Sequence, residues 1–332
     1  MVVIDTEEEF DWGKPLARSN TSVRSIAAQG LAQRVFRSYS LTPTYVIDYP
    51  VATDPAAVRT LRSFADEGHA IIGAHLHPWV NPPDEEAVTP WNSYAGNLPA
   101  ALEYDKLARL TDAIEHNFGA RPTAYKAGRY GIGPNTDAAL MRLGYHVDMS
   151  VVPRTSFAAD GGPDFSAWDF RPYWFGPDRQ LLEIPLSCGY AGALWRYGGR
   201  VYRAAGSKYG IALRAHGILA RTRLLERIRL TPEGVDDAAV IRLTKSLLRK
   251  GCTIFTLTYH SPSLSPGCTP YVRDQIELKA FLRRLDRYLD HFLTRLGGVP
   301  ATPAAVRALA LGGGNCVDDA GDAHGGPPSA VR

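Results

Sequence analysis

Short apolar runs alternate with longer amphipathic stretches along most of the chain. Seven of these runs read as strands, at residues 2–5, 44–48, 70–75, 123–127, 146–151, 181–186 and 253–260. Strands that alternate with helices are typical of a parallel α/β fold. About seven strands are enough to close a barrel, so we predict a (β/α) barrel whose active site lies at the carboxyl ends of the strands.

The amphipathic stretches between the strands carry clear helix signals. Asp54 is a candidate N-cap, Pro55 suits the first turn, and Gly68 stands where a helix would end. The same reasoning predicts a helix that ends at Gly119, a short one that begins at residue 135 or 136, and a long amphipathic one whose apolar face carries Ile276, Leu282, Leu285 and Leu289.

Two stretches interrupt the alternation, at residues 78–103 and 187–235. Long insertions at one face of a barrel usually shape a binding site. From about residue 311 the chain is rich in Gly, Ala and Asp. We therefore predict one barrel domain over residues 1–310 and a disordered tail over residues 311–332.

Composition narrows the class of protein. The 332 residues are 45% hydrophobic and 21% charged, which is ordinary for a globular enzyme. A formal net charge of +3 gives no reason to expect nucleic acid as a partner. No apolar stretch approaches the roughly 18 residues of a membrane span. If Met1 is the true start, we expect a cytoplasmic protein, because a strand-like segment stands where a secretory signal would be.

The four cysteines are scattered and form no C-x-x-C pair. A zinc knuckle and a thioredoxin-like motif are therefore not indicated. We expect these cysteines to be reduced and structural.

The first predicted strand runs into Asp5, Thr6, Glu7, Glu8 and Glu9. Side chains two apart on extended backbone point the same way, so Asp5 and Glu7 share a side. Carboxylates this close repel each other unless a cation or a proton relieves them. The segment alone is equally consistent with a solvated acidic loop.

The third predicted strand ends in an H-x-H pair, His75 and His77. The same periodicity points both imidazoles one way. Two histidines and a carboxylate make a catalytic zinc set that leaves a position open for water. An isolated H-x-H pair more often packs in the core or lies on the surface. Metal binding becomes a stronger prediction when the pair stands beside the strand end that carries Asp5 and Glu7.

Two further strand ends carry groups that could serve a hydrolase. Lys126 and Arg129 follow the fourth strand, and either could hold a carboxylate ionised. His260 ends the last strand, where an imidazole could act as a general acid.

Taken together, these motifs resemble the polysaccharide deacetylase family, also called carbohydrate esterase family four. The resemblance covers roughly residues 1–297 and follows the family's motif order. Asp5 matches the catalytic base and Glu7 the acidic ligand in a D-x-E variant, with Thr6 in place of the usual second aspartate. His75 matches the first histidine ligand. Trp79 stands where the second is usual, so His77 takes that role.

The remaining motifs continue the resemblance. The segment from Lys126 to Arg129 corresponds to the motif that carries an arginine, and we favour Arg129 for that role because it is always charged. The segment 148–150 and Glu183 also resemble family strands, and His260 matches the catalytic acid. D-T-E-E-E-F-D-W and H-L-H-P-W are similar to a bacterial branch connected with surface-polysaccharide biosynthesis.

The family resemblance implies a distorted (β/α) barrel and removal of N-acetyl groups from a carbohydrate. It implies a divalent metal, with zinc as our choice, held by Glu7, His75 and His77. Asp5 would be the base and His260 the acid, with Arg129 holding Asp5 ionised. Candidates for stacking against sugar are Trp12, Trp79, Tyr130 and Trp195, although aromatic residues more often belong to the core.

Three other functions remain open. The chain could be a metal-independent amidohydrolase of the same fold that cleaves another non-peptide C–N bond. It could be a catalytically inactive homologue that binds sugar. A glycosidase that uses two of Glu7, Glu8 and Glu9 ranks last, because that reaction needs carboxylates on opposite sides of the substrate.

Overall fold

The computed structural model of the protein describes residues 1–313 and the backbone of residues 318–319. Its strands are β1 (Val2–Thr6), β2 (Thr44–Ile47), β3 (Ile71–Ala74), β4 (Ala124–Tyr125), β5 (Val147–Asp148), β6 (Tyr173–Phe175), β7 (Leu181–Glu183), β8 (Cys188–Ala191), β9 (Glu226–Arg229), β10 (Leu257–His260) and β11 (Asp318–Asp319). Six of the seven predicted strands contain one of these elements, and β1 extends one residue beyond the predicted run 2–5. The Cys316 position lies outside the described residues, and Cys188, Cys252 and Cys268 are free thiols.

The main sheet has the strand order β10-β1-β2-β3-β4-β5-β7-β6-β11. The seven strands from β10 to β7 run parallel to their neighbours, whereas β6 is antiparallel to β7. The sheet curls into a partial barrel, which confirms the predicted fold class of a distorted (β/α) barrel with about seven parallel strands. Sequence analysis missed β6 and the two-stranded sheet of β8 and β9.

The open side of the curled sheet, between β7 and β10, is bridged by the base of the β8–β9 hairpin. Ser187 N donates to Thr256 O at 3.4 Å, and Thr258 N donates to Leu230 O at 3.2 Å. The insertion predicted at residues 187–235 therefore completes the barrel wall as well as extending from it.

The helices are α1 (Gly30–Ser38), α2 (Tyr49–Thr53), α3 (Pro55–Asp66), α4 (Ala100–Phe118), α5 (Thr136–Arg142), α6 (Gly198–Ala205), α7 (Lys208–Ala212), α8 (Ala215–Arg221), α9 (Asp237–Arg249), α10 (Gln275–Leu289) and α11 (Pro303–Leu311). The predicted cap of α3 is confirmed, because the Asp54 side chain accepts from the backbone N–H of Ala56 and Ala57. Ile276, predicted on the apolar face of α10, is 75% exposed, because it lies in the first turn, beyond the packed face.

Two apolar clusters line the two faces of the sheet. Ile4 and Tyr45 belong to the larger cluster, which packs the helices against the barrel. Val3 and Val46 belong to a second cluster with Val306 of α11. Asp5 has the same parity in β1 as Val3, so its side chain points to this second face. No helix among the described residues has the length and apolarity needed to cross a membrane.

The loop before α4 touches the loop before α5 at two glycines. A Cβ atom on Gly133 would lie 2.2 Å from the carbonyl oxygen of Gly96, which is backbone and cannot rotate away. This contact fixes the segment around Tyr94, which lines the cleft described below, against the chain between β4 and α5.

We expect Gly133→Ala to lower the free energy of unfolding by at least about 2 kcal/mol, because the added methyl group forces the two backbones apart. Chemical denaturation measures the change. Gly30→Ala is the control, since nothing lies within 4 Å of the added atom. If Gly133→Ala and Gly30→Ala have the same free energy of unfolding, the close contact between the two loops would be contradicted.

Candidate metal centre and active site

The carboxyl ends of four nearby strands bring the predicted residues together. β10, β1, β2, β3 and β4 are consecutive in the sheet, and Asp5 is the register partner of His260. Residues that follow β1, β3 and β4 therefore meet at one edge, as expected for a parallel barrel. Asp5, Glu7, His75 and His77 are each at most 3% exposed.

Glu7, His75 and His77 point their donor atoms at a common point. Oε2 of Glu7 lies 3.5 Å from Nε2 of His75 and 3.5 Å from Nε2 of His77. The three donor atoms all lie within 4.8 Å of one another. A tetrahedral zinc ion with bonds of about 2.0–2.1 Å spaces its donors by roughly 3.3 Å, so the spacing suits one ion.

The other ring nitrogen of each histidine is already held. Nδ1 of His75 donates to the carbonyl oxygen of Lys126 at 2.8 Å. Nδ1 of His77 donates to Oε2 of Glu8 at 2.7 Å. These bonds place the proton on Nδ1 and leave Nε2 free as a ligand, an arrangement that metal-bound histidines almost always show.

Burial shifts the pKa values of the three groups in the directions that suit a cation site. It lowers the pKa of His75 and lowers the pKa of His77 to about 4, so both rings are neutral at pH 7. Burial also raises the pKa of Glu7 to about 7. Oε1 of Glu7 is buried without a hydrogen-bond partner. A cation would compensate the buried carboxylate, so the residues fit a divalent metal.

Trp79 lines the cleft described below and packs against the candidate metal ligand His77. Its indole N–H donates to Oε1 of Glu8 at 2.7 Å, and its ring stacks on His77 at 4.2 Å between centroids. The side chain is only 2% exposed. Its indole N–H and the ring face toward His77 are therefore occupied. Contact between Trp79 and sugar stays a prediction.

Glu8, Asp48 and His77 also lie close enough to form a ligand set. Both oxygens of Glu8 already accept hydrogen bonds from His77 and Trp79. Asp48 accepts from the backbone N–H of Glu8 at 2.7 Å and of Val51 at 2.9 Å. Burial and the neighbouring Glu8 raise the pKa of Asp48 well above its usual value. This cluster is a hydrogen-bond network that orients His77.

Lys126, and not Arg129, forms the ion pair with Asp5. The Lys126 ammonium donates to Oδ2 of Asp5 in a fully buried contact. Burial opposes ionisation of Asp5, but the charge of Lys126 outweighs it together with the neighbouring imidazoles, and the pKa of Asp5 falls to about 2. Oδ1 of Asp5 is buried and unpartnered.

Arg129 has other partners at the rim of the cleft. It donates to Ser93, lies 3.8 Å from Asp160, and stacks over the Tyr94 ring at 4.3 Å. Our preference for Arg129 as the partner of Asp5 is therefore wrong. The chain turns at Gly128 before it reaches Arg129, and a Cβ atom on Gly128 would lie 2.2 Å from the His77 ring.

His260 is held by a residue that sequence analysis missed. Glu233 accepts from His260 Nδ1 at 2.8 Å and from its backbone N–H at 3.0 Å. Nε2 of His260 lies 3.9 Å from Oδ2 of Asp5. Burial lowers the pKa of His260, but the charges of Glu233 and Glu7 outweigh it and raise the pKa to about 10. No motif marks Glu233, which lies in the loop after β9.

Asp148 and Glu183 adjoin each other on β5 and β7, away from the cleft. Ser150 donates to Asp148 and accepts from the backbone N–H of Ala127 at 2.8 Å. Burial raises the pKa of Asp148 to about 6. These residues support the backbone after β4.

A cleft of about 580 Å³ opens over the metal centre. Trp12 and Tyr130 both line it, and Trp12 is 39% exposed beside His260. That they contact substrate stays a prediction. Trp195 lies apart in the insertion, where it contacts Arg196 and Lys250. Both predicted insertions reach the cleft, one through residues 88–90 and 94 and the other through Arg229.

Comparisons with known proteins show the fold. No protein-family model matches the chain. No curated protein matches it. Among solved structures, it is similar to a provisionally named glycoside hydrolase/deacetylase from Parabacteroides distasonis, with a TM-score of 0.57, 11% identity, and coverage of 90% of this chain and 67% of that one.

Two further structures are similar. A GH57 branching enzyme from Thermococcus kodakaraensis has a TM-score of 0.50 at 13% identity, over 93% of this chain and 70% of the other. A provisionally named polysaccharide deacetylase from Mycobacterium smegmatis has a TM-score of 0.44 at 18% identity, over 84% of this chain and 80% of the other.

Glu8→Gln tests the hydrogen-bond network behind His77. We expect the affinity for zinc to fall by about 10- to 100-fold, because the amide no longer fixes the His77 ring as strongly. Titration of the metal-free protein with zinc measures the change. Glu9→Gln is the matched control, since Glu9 accepts from Ser22 and from the Ser25 backbone instead. Equal affinities in both variants would contradict the role of Glu8.

Proposed function

We propose that the protein is a metal-dependent hydrolase that removes N-acetyl groups from a carbohydrate. The observation that carries this proposal is the meeting of three groups at one strand edge: a Glu-His-His donor set, an ionised Asp5 and a protonated His260. Metal-assisted amide hydrolysis needs these three functions, which are a Lewis acid, a proton acceptor and a proton donor.

Glu7, His75 and His77 would hold the metal, with zinc as the ion that best suits this donor set. When bound, such an ion polarises a carbonyl group and makes water more acidic. Glu8, Asp48 and the Lys126 carbonyl orient the ligands.

Asp5 can accept the proton of the attacking water at Oδ1, the oxygen that Lys126 leaves free. The water oxygen forms a bond to the carbonyl carbon, and the proton passes to Asp5. The Lys126 ammonium keeps Asp5 ionised until that moment and limits its rotation.

His260 can donate the proton that the leaving nitrogen needs. The C–N bond breaks, the nitrogen takes a proton from His260, and the products are acetate and an amine. The Glu233 carboxylate stabilises the charged imidazole before transfer. Asp5 and His260 lie side by side, which brings the acceptor and the donor to the same bond.

The cleft supports a carbohydrate substrate. Trp12, Tyr130 and Tyr271 present aromatic surfaces beside polar groups, the combination by which proteins bind sugar rings. Structures of the same fold include proteins named for deacetylation and for glycoside chemistry. A role in surface-polysaccharide metabolism, implied by the family resemblance, is part of the proposal.

The competing functions are less well supported. A glycosidase would need two free carboxylates among Glu7, Glu8 and Glu9, but Glu8 and Glu9 are hydrogen-bonded away from the cleft. A metal-independent amidohydrolase or an inactive sugar-binding homologue would have no use for two histidines that both present free Nε2 atoms to a buried carboxylate.

Asp5→Asn and His75→Ala together test the proposal. We expect Asp5→Asn to retain zinc but to release acetate from N-acetylated oligosaccharides at least about 100-fold more slowly, since the base is lost. His75→Ala should lose both zinc and activity. His69→Ala, which changes an exposed imidazole, should keep both.

The outcomes separate the alternatives. Unchanged metal content in His75→Ala would remove His75 from the ligand set. Full activity after chelation would establish the metal-independent reaction. Sugar binding without turnover, in the zinc-loaded protein, would establish the inactive homologue.

Glu233→Gln tests the proton donor. Loss of the carboxylate lowers the pKa of His260, so less of the acid form remains at high pH and the basic limb of the kcat profile moves to lower pH. We expect a loss of at least about tenfold at pH 8.5 and a smaller loss at pH 6. Glu226→Gln, which breaks the pair between β9 and Arg242 of α9, is the control. Equal losses at both pH values would rule out proton donation by His260.

A further inference from the structure

The segment 194–224, at the outer end of the β8–β9 hairpin, has an unusual surface composition. It contains α6, α7 and α8 and carries six arginines and Lys208, with no Asp or Glu. The whole chain has a formal net charge of only +3, so the remainder of the protein is net acidic. All seven basic side chains are exposed.

The same segment holds much of the exposed apolar surface among the described residues. Its exposed large apolar residues are Tyr197 at 62%, Tyr209 at 71%, Ile211 at 65%, Leu213 at 70%, Ile218 at 53% and Leu224 at 40%. Single exposed apolar residues are ordinary, but a cluster rimmed by charge marks an interaction site. We refer to residues 194–224 as the basic apolar surface.

The charges of this surface are available to a partner. None of the seven basic groups forms an ion pair with a carboxylate in the part of the chain that the structure describes. Lys208 instead lies over the Tyr209 ring at 5.0 Å, and Arg196 over Trp195 at 5.4 Å. The surface therefore presents uncompensated positive charge beside aliphatic side chains.

We propose that the basic apolar surface docks on the face of an anionic lipid membrane. Short helices with basic and aliphatic groups lie in the interface plane, where the apolar side chains enter the acyl boundary and the cations meet lipid phosphates. A nucleic acid would satisfy the cations but would leave Ile211, Leu213 and Ile218 in water. The charge and the apolar groups together favour lipid.

The strand β9 connects the basic apolar surface to the cleft. β9 leaves the helices at Glu226 and reaches Arg229, which lines the cleft. The Arg229 guanidinium donates to the Tyr130 hydroxyl at 2.7 Å. Four residues of strand span on the order of 10 Å between their first and last Cα atoms. Docking through this surface would hold the cleft close to the membrane.

Vesicle co-sedimentation of the full chain tests the proposal. We compare vesicles of phosphatidylcholine alone with vesicles that also contain phosphatidylglycerol. Binding should require the anionic lipid and should weaken as sodium chloride is added, because salt screens the cations.

Two pairs of substitutions separate the apolar and the ionic contributions. Ile211→Ser with Leu213→Ser should weaken vesicle binding at least about tenfold. Arg200→Gln with Arg221→Gln should weaken it by about 25-fold, or roughly fivefold for each charge. The matched control is Ile276→Ser with Val299→Ser, which changes residues that are 75% and 79% exposed elsewhere. Thermal melts check that all variants fold.

Three results would overturn the proposal. One is the absence of binding to the anionic vesicles by the wild-type chain. Another is vesicle binding that is unchanged by the Ile211 and Leu213 substitutions and is abolished when duplex DNA is added. That result would indicate a site for polyanions in general. In the third, the wild-type chain does not bind vesicles and the Ile211 and Leu213 substitutions change its oligomeric state. That result would indicate that this surface contacts a second copy of the chain.

Discussion

The ion pair between Asp5 and Lys126 crosses the mouth of the barrel from the end of β1 to the residue after β4. Around it, Glu7, Glu8 and Asp48 are also buried, and carboxylates so confined are stable only with cations, protons or strong hydrogen bonds. Lys126 compensates Asp5, and hydrogen bonds hold Glu8 and Asp48. Glu7 is left facing two neutral imidazoles, and this uncompensated carboxylate is what marks the candidate metal centre.

The parallel strands and their polar ends could be predicted because they depend on local pattern. Period-two alternation placed Asp5 with Glu7 and His75 with His77, and adjacency of parallel strands then brought the two pairs together. The partners supplied by loops could not be predicted in this way. Glu233 reaches His260 only because the hairpin base pairs with β10, a contact between residues distant in sequence that no spacing rule contains.

The error at Arg129 has a physical origin. The residue was judged by its chemistry, since a guanidinium suits a carboxylate. The direction of its side chain is decided by the backbone, which turns at Gly128 before Arg129. The charge of residues 194–224 is not visible in the net charge of the whole chain, because acidic residues elsewhere nearly cancel it.

Lys126 contributes to the site through both of its ends. Its ammonium binds Asp5 and its carbonyl oxygen accepts from His75, so one backbone position sets the spacing between the proposed proton acceptor and a proposed metal ligand. The loops that line the cleft take no part in that spacing. Changes in the sequences of these loops can therefore alter which substrate binds without altering the distance between Asp5 and His75. This separation lets the fold tolerate evolutionary change in its loops.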